Sequence, residues 1–225
     1  MKKTSLVFAA IIAAILSLTG IGLGTSTAAT PKTSLGGGSG ILVLKGGNSA
    51  SACTVTAVGH PTSGANKGRL IALTAGHCGK PGQQILSERA QNRGVIGTIT
   101  RSYSDIDVAV IELDPAKVRP VRTVGGVTIK RISTRPVSFP TIVCKEGRTT
   151  GNTCGVTWFS DRTAHFSQMC VIEGDSGSPV VVGDTLVGMV NAYYFVSCIG
   201  PETGTNMNTI LRRLNATGYS GFKVV

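Results

Sequence analysis

From residue 41 onward the chain breaks into short runs of apolar and β-branched residues separated by Gly, Pro, Asn and Ser. The runs are 41–45, 53–58, 70–75, 95–100, 108–113, 140–144, 156–159, 179–182 and 185–190. Runs of this length bounded by turn formers predict strands, and their close spacing predicts an antiparallel all-β architecture, sandwich or barrel. Helical spacing is confined to 208–215, where Ile210, Leu211 and Leu214 fall on one face and Arg212 and Arg213 fall off it. Residues 30–40, rich in Thr, Ser and Gly, read as a flexible lead-in. Ahead of them, Lys2 and Lys3 precede an apolar stretch at 6–18, and small residues follow at Ser26 to Ala29. That layout predicts a secretory signal over 1–29, cleaved near Ala28 or Ala29. The competing reading is an uncleaved anchor, since the apolar character continues through Ile21 and Leu23. No later segment of the sequence is long and apolar enough to span a bilayer.

The 225 residues suffice for one larger domain or two small packed ones. The net charge of +11 falls to +9 once Lys2 and Lys3 are removed (11 − 2), and no long basic run carries it. Such a field favours anionic envelopes or acidic substrates. Nucleic acid is not an expected partner, because no recognition motif is present and aromatic content is low. Six cysteines in an exported chain predict disulfides, although six allow 15 pairings. A zinc site fits poorly, because no two cysteines have Cys-x-x-Cys spacing and His60 and His165 stand apart from any cluster. No metal or cofactor is expected.

The chemistry concentrates in Glu173-Gly174-Asp175-Ser176-Gly177-Ser178-Pro179. A serine between two glycines after an acid is where a chain exposes a hydroxyl and turns backbone N–H groups toward it. A free hydroxyl is a poor nucleophile near neutral pH, so acyl transfer also needs a base and an acid to hold the base in one tautomer. His77, in Thr-Ala-Gly-His-Cys, and Asp107, leading Asp-Val-Ala-Val, supply these. Asp105 is the rival for the acid, on the same side of a strand.

The order His, Asp, Ser is that of the chymotrypsin type. With Thr-Ala-Gly-His-Cys, Asp-Val-Ala-Val, the stretch from Cys144-Lys145-Glu146-Gly147 to Cys154-Gly155, and Gly-Asp-Ser-Gly, the chain resembles the chymotrypsin-like serine peptidases, closest to the secreted bacterial streptogrisins and α-lytic protease. The resemblance runs across most of 38–224. It implies two packed antiparallel six-stranded β-barrels with a short C-terminal helix, the first over 41–122 and the second over 123–225, with the seam near 118–128. It implies His77, Asp107 and Ser176 as the catalytic residues and the N–H groups of Gly174 and Ser176 as the oxyanion hole. Disulfides Cys53–Cys78, Cys144–Cys154 and Cys170–Cys198 follow from it, as does a buried pair of Asp175 with Lys145. The rival for Lys145 is a solvated loop charge. No Arg-Ile-Val-Gly-Gly activation site is present, so maturation is expected to need signal removal without a zymogen switch, and no room is expected for the folding prodomain of well-known bacterial relatives.

Two departures bear on specificity. Ser178 replaces the commoner glycine, as in the glutamyl-endopeptidase branch. Asn191, Ala192 and Tyr193 occupy the substrate-binding strand where relatives place a serine, then an aromatic or glycine, then glycine; with Glu173 at the pocket mouth they are the expected substrate-binding residues. Tyr193 or Tyr194 is expected to narrow the pocket toward small or medium apolar side chains. The sequence thus reads as a secreted, monomeric serine endopeptidase acting on protein or peptide substrates, without membrane insertion after signal removal. The alternatives are a catalytically silent binding protein on the same fold and an esterase-like serine hydrolase.

Overall fold

The computed structural model describes residues 31–225; the expected signal segment, 1–29, lies outside the described residues. In chain order the strands are β1 Thr33–Leu35, β2 Gly40–Gly46, β3 Ser49–Thr54, β4 Ala57–His60, β5 Ile71–Ala75, β6 Gln84–Ser87, β7 Val95–Tyr103, β8 Val108–Leu113 and β9 Val118–Pro120. The short strands β10 Thr123–Val124, β11 Val127–Thr128 and β12 Arg131–Ile132 follow. Then come β13 Ile142–Gly147, β14 Gly151–Ser160, β15 Ala164–Ser167, β16 Pro179–Val182, β17 Thr185–Tyr193, β18 Glu202–Asn206, the helix α1 Met207–Ala216 and β19 Lys223–Val224.

The first sheet runs β19-β4-β5-β8-β7-β6-β2-β3. Strands β3 and β4 are two arms of one bent segment: β3 pairs with β2 and β4 with β5, and between the arms the Thr56 N–H donates to Leu73 O at 2.7 Å. The bend brings the sheet round on itself as a barrel, filled by Ile41, Val43, Ile85, Ile96, Ile99 and Ile111. The second barrel closes directly, because β17 pairs with both β16 and β18 in the ring β17-β16-β13-β14-β15-β18. Between the barrels lies a third apolar layer, where Ile71 and Leu73 of the first meet Leu186 and Met189 of the second and Met207, Ile210 and Leu214 of α1. The helix forms over 207–216 for the reason its sequence gives: its apolar stripe is the face that packs on this layer.

Two regions depart from expectation. Residues 30–40 were expected to be a flexible lead-in, yet β1 pairs in parallel with β9 and Leu35 is buried in the first barrel's core. Gly38 donates to Val55 O at 2.8 Å, and Gly36 donates to the Ser39 hydroxyl at 3.0 Å. The glycines that suggested freedom instead let the backbone lie against neighbouring chain where a side chain has no room. The assignment of all of 123–225 to the second barrel is also corrected, because β19 returns to the first and pairs with β4, Lys223 opposite His60 and Val224 opposite Gly59. Among the described residues, no helix is long and apolar enough to cross a membrane.

Candidate active site

Three segments from the two barrels meet in one place. Strand β5 ends in a single 3-10 turn, Gly76–Cys78, that carries His77, and the Cys53–Cys78 disulfide ties this turn back to β3. Asp107 sits in the turn between β7 and β8 with φ of 48°, a left-handed conformation that Asp tolerates better than most residues. Its Oδ1 accepts the His77 backbone N–H at 2.7 Å and its Oδ2 lies 2.8 Å from His77 Nδ1. On the other side of the ring, Nε2 is 2.9 Å from Ser176 Oγ. A carboxylate at Nδ1 accepts only, so the ring carries its proton there and leaves Nε2 as an acceptor for the serine hydroxyl. The hydrogen bond that His77 donates to Asp107 raises the His77 pKa above its ordinary value, against the opposing effects of burial and of Lys45. Burial alone pushes Asp107 upward, but the bonds from His77 and Asn191 outweigh it and hold the carboxyl below its usual range. Asp105, the rival acid, is turned away and paired with Arg213 at 2.5 Å.

The Ser176 loop is held from both barrels. At the β3–β4 bend, the Thr54 N–H donates to Ser176 O at 2.8 Å, the Thr54 hydroxyl to Gly174 O at 2.9 Å and the Thr56 hydroxyl to Gly177 O at 2.7 Å. From β17, Val190 O accepts the Gly177 N–H at 2.8 Å. Gly174 and Gly177 have φ of 94° and 90°, and a Cβ on either meets neighbouring atoms, including Thr149 Oγ1 at 2.5 Å for Gly174. Both positions therefore require glycine. Among the described residues, the N–H groups of Gly174 and Ser176 donate to no protein acceptor. The Ser178 hydroxyl, the first departure in the motif, is buried and donates back to Asp175 O at 2.5 Å, closing the turn.

Behind the serine, Asp175 is fully buried. Its oxygens accept the N–H groups of Thr149 at 3.0 Å, Thr150 at 3.2 Å and Ile172 at 3.2 Å, and the Thr150 hydroxyl at 2.6 Å. Lys145 Nζ, also fully buried, stands 3.7 Å from Asp175 Oδ2 and donates to Thr150 Oγ1 and to Gly151 O. Lys145 is thus no solvated loop charge. Burial lowers its pKa, and the Asp175 carboxylate pulls it back up. Deeper in the same barrel, Glu202 accepts the Ser167 hydroxyl at 2.5 Å and lies 3.5 Å from His165 Nε2, while His165 Nδ1 faces Asn206 Oδ1 at 3.0 Å. Desolvation moves these two in opposite directions, Glu202 up to about 8 and His165 down to about 4, so both are neutral near pH 7.

The residues expected to bind substrate take different places. Asn191 lies on β17 beside the serine, and its side chain turns to the acid. Its Nδ2 donates to Asp107 Oδ2 at 2.7 Å and Asp107 O at 2.8 Å, and its Oδ1 accepts the Thr205 hydroxyl at 2.9 Å. Only its carbonyl faces the serine, with Ser176 Oγ 3.4 Å away. Ala192 is exposed, and the Tyr193 hydroxyl donates to Glu173 at 2.6 Å, linking the end of β17 to the loop before the serine. The structure joins Cys144 to Cys154 and Cys170 to Cys198, the latter closing the 28 positions between that loop and the one after β17. Sequence reasoning missed Thr54, Thr56, Ser102 and Thr205, which hold the Ser176, His77 and Asp107 segments through hydroxyls; Ser102 does so on Gly76 O at 3.1 Å. Threonine in a β-rich chain reads as a strand former and a lone serine as an ordinary polar position, so nothing local distinguishes these four.

No protein-family model matches the sequence, and comparison with curated proteins finds no match. Solved structures are similar in three dimensions. Thermobifida fusca protease A is 22% identical, with a TM-score of 0.66 over 86% of this chain and 99% of that one. A Cellulomonas bogoriensis chymotrypsin is 20% identical, with a TM-score of 0.65 over 86% and 99%. A Nocardiopsis protease is 24% identical, with a TM-score of 0.66 over 81% and 97%. The two barrels, the layer between them and the C-terminal helix are thus the fold of the bacterial chymotrypsin-like serine proteases.

Proposed function

We propose that the protein is a secreted serine endopeptidase that cleaves peptide bonds through an acyl-enzyme on Ser176. The observation that carries this reading is the unbroken line Asp107 Oδ2, His77 Nδ1, His77 Nε2, Ser176 Oγ, with steps of 2.8 and 2.9 Å between groups from two barrels. Ser176 Oγ attacks the carbonyl carbon while its proton passes to His77 Nε2, and Asp107 stabilises the imidazolium that forms. The oxyanion takes the free N–H groups of Gly174 and Ser176, each such donor contributing roughly a hundred- to a thousandfold in rate. His77 returns the proton to the leaving amine, and water repeats the sequence on the acyl-enzyme.

Strand β17 supports a peptide rather than a small ester as substrate. Its register with β16 ends at Met189, so Asn191 to Tyr193 keep one edge unpaired beside Ser176, where an extended chain can add by backbone hydrogen bonds. Three disulfides fit an oxidising compartment. Asp175 and Lys145 serve as the internal ion pair that fixes the Ser176 loop.

The test is labelling of the purified, oxidised protein with a fluorophosphonate probe, beside Ser176→Ala and His77→Ala, followed by cleavage of a peptide library. Labelling that needs both residues, with peptide turnover, is the expected result. A folded sample that fails to label overturns the reading in favour of a silent binding protein, and ester turnover without peptide turnover favours the esterase. Because His77 is neutral when it acts as base and its pKa is raised, the acid limb of kcat/KM is expected above the ordinary histidine value of 6.5.

A further inference from the structure

The outer face of the second barrel carries no charge along three converging stretches. No Asp, Glu, Lys or Arg occurs in 149–160, 163–172 or 187–201, in a chain where those residues make up 15% of the sequence. Those stretches supply β14, β15, the end of β17 and the loop after it. Aromatic rings, exposed except for the half-buried Phe166, fill the gap that charge leaves. Phe159 lies 6.0 Å from Phe166, Phe166 5.8 Å from Tyr194 and Tyr194 6.3 Å from Phe195, and Trp158 stacks on Phe139 at 6.2 Å. The two groups join through Gln168, which accepts the Trp158 indole N–H at 3.1 Å and donates to Ile199 O at 2.6 Å.

Two local devices maintain this face. In a regular strand consecutive side chains alternate, yet Trp158 and Phe159 are both more than half exposed. The pairing of β14 with β15 shifts register between Thr157 and Phe159, and this bulge turns both rings outward. The second device is the loop after β17, which presents Phe195 at 94% exposure and Ile199 at 75%. It is tied at its base by the Cys170–Cys198 disulfide and by Tyr194 N–H to Pro201 O at 2.9 Å. Phe195 has φ of 61°, a conformation bulky residues avoid, so the fold holds an apolar side chain in water at a backbone cost.

We propose that this face docks on an anionic lipid surface, with Phe195 and Ile199 entering the headgroup boundary and the Trp158–Phe159 band lying along it. Aromatic rings with polar edges suit that boundary, and a protruding tip suits a penetrable surface better than the flat face of a second protein. The net charge of +9 without Lys2 and Lys3 supplies the attraction to negative headgroups. Two or more apolar side chains combined with basic charge give reversible attachment without a spanning segment. The tip follows directly on β17, whose residues 191–193 flank Ser176, so docking places the cleft beside the surface.

The test is co-sedimentation of the mature Ser176→Ala protein with vesicles of phosphatidylglycerol and phosphatidylcholine at 50 and 500 mM salt, beside a variant that also carries Phe195→Ser and Ile199→Ser. Far-UV circular dichroism and melting check folding, so the result does not depend on catalysis. The expected result is at least tenfold weaker binding in the double-serine variant, weaker binding at high salt, and a blue shift of Trp158 fluorescence on vesicles. Equal sedimentation with and without anionic vesicles overturns the proposal. So does a dimer in sedimentation velocity that the two serines dissolve without any change in vesicle binding, which assigns the face to a second copy. In the active protein, serines that alter peptide kcat/KM but leave vesicle binding intact assign it to substrate instead.

Discussion

The two barrels share an architecture and differ in what fills them. The first is packed with isoleucine and valine, and its fully buried side chains include Ile41, Ile85, Ile96, Ile99 and Ile111. The second has a small apolar cluster around Val143, Met169 and Val180, and beside it buries Lys145, Asp175, His165, Glu202, Ser167 and Asn206. Apolar packing is non-directional and holds a scaffold, which suits the half that presents His77 and Asp107 on the ends of rigid strands. A buried hydrogen-bonded network is directional and fails if one member is removed. It suits the half that must fix the Ser176 loop in a turn with two glycines at positive φ.

The contrast can be broken at several points. The largest effect is on the line that crosses the barrels: Ser176→Ala or His77→Ala is expected to lower kcat on the order of 10⁴- to 10⁶-fold while the melting transition stays in place. Peptide turnover and calorimetry on one preparation check both halves of that statement. Next, Lys145→Met leaves Asp175 buried without its cation, for an expected loss of about 3–5 kcal/mol in urea unfolding. In the first barrel, Ile99→Val is expected to cost only about 0.5–1.5 kcal/mol. If the two cost the same, the second barrel does not depend on its ion pair and the comparison fails.

A pH series sharpens the same contrast. The unfolded chain ionises Glu202 near 4.5, whereas the folded chain keeps the proton to about 8, so unfolding releases a proton as pH rises through that window and stability falls. His165 acts oppositely: neutral in the fold down to about 4, it lowers stability as pH falls below its ordinary 6.5. The two nearly cancel between 4.5 and 6.5, which leaves a decline of about 2 kcal/mol from pH 6.5 to 8. Glu202→Gln is expected to abolish that decline, and an unchanged slope in urea titrations at the two pH values refutes the assignment. An effect as small as that of Ile99→Val is expected at the clamp between barrels, where Thr54→Val removes the bond to Gly174 O for about 1 kcal/mol of stability.

How much of this the sequence discloses follows from the same physics. Strands with a continuous apolar face, such as β5 and β8, are evident from composition, and so is α1 from its stripe. Strands β15 and β18, with sequences AHFS and ETGTN, are not, because they face the polar interior of the second barrel and carry no hydrophobic alternation. The segments bearing His77, Asp107 and Ser176 stand out because each has a distinctive local chemistry. The supporting hydroxyls of Thr54, Thr56 and Thr205 do not, since their partners are about 100 residues or more away. The position of Asn191 on β17 is readable in the sequence, but the direction of its side chain is not, because that depends on where the β7–β8 turn lies.

The return of β19 to the first barrel has a consequence for how the protein acquires its shape. Gly59 and His60 meet Val224 and Lys223, and Phe222 packs in the layer with Ile71 and Leu73. The half that leads in the chain therefore lacks an edge strand until the last residues are available, and the two halves cannot mature in succession as beads on a string. Contacts across more than 160 positions make for slow, all-together folding. A chain built in this way completes the half that carries His77 and Asp107 only when its last strand is in place, so the cleft and the fold are acquired together.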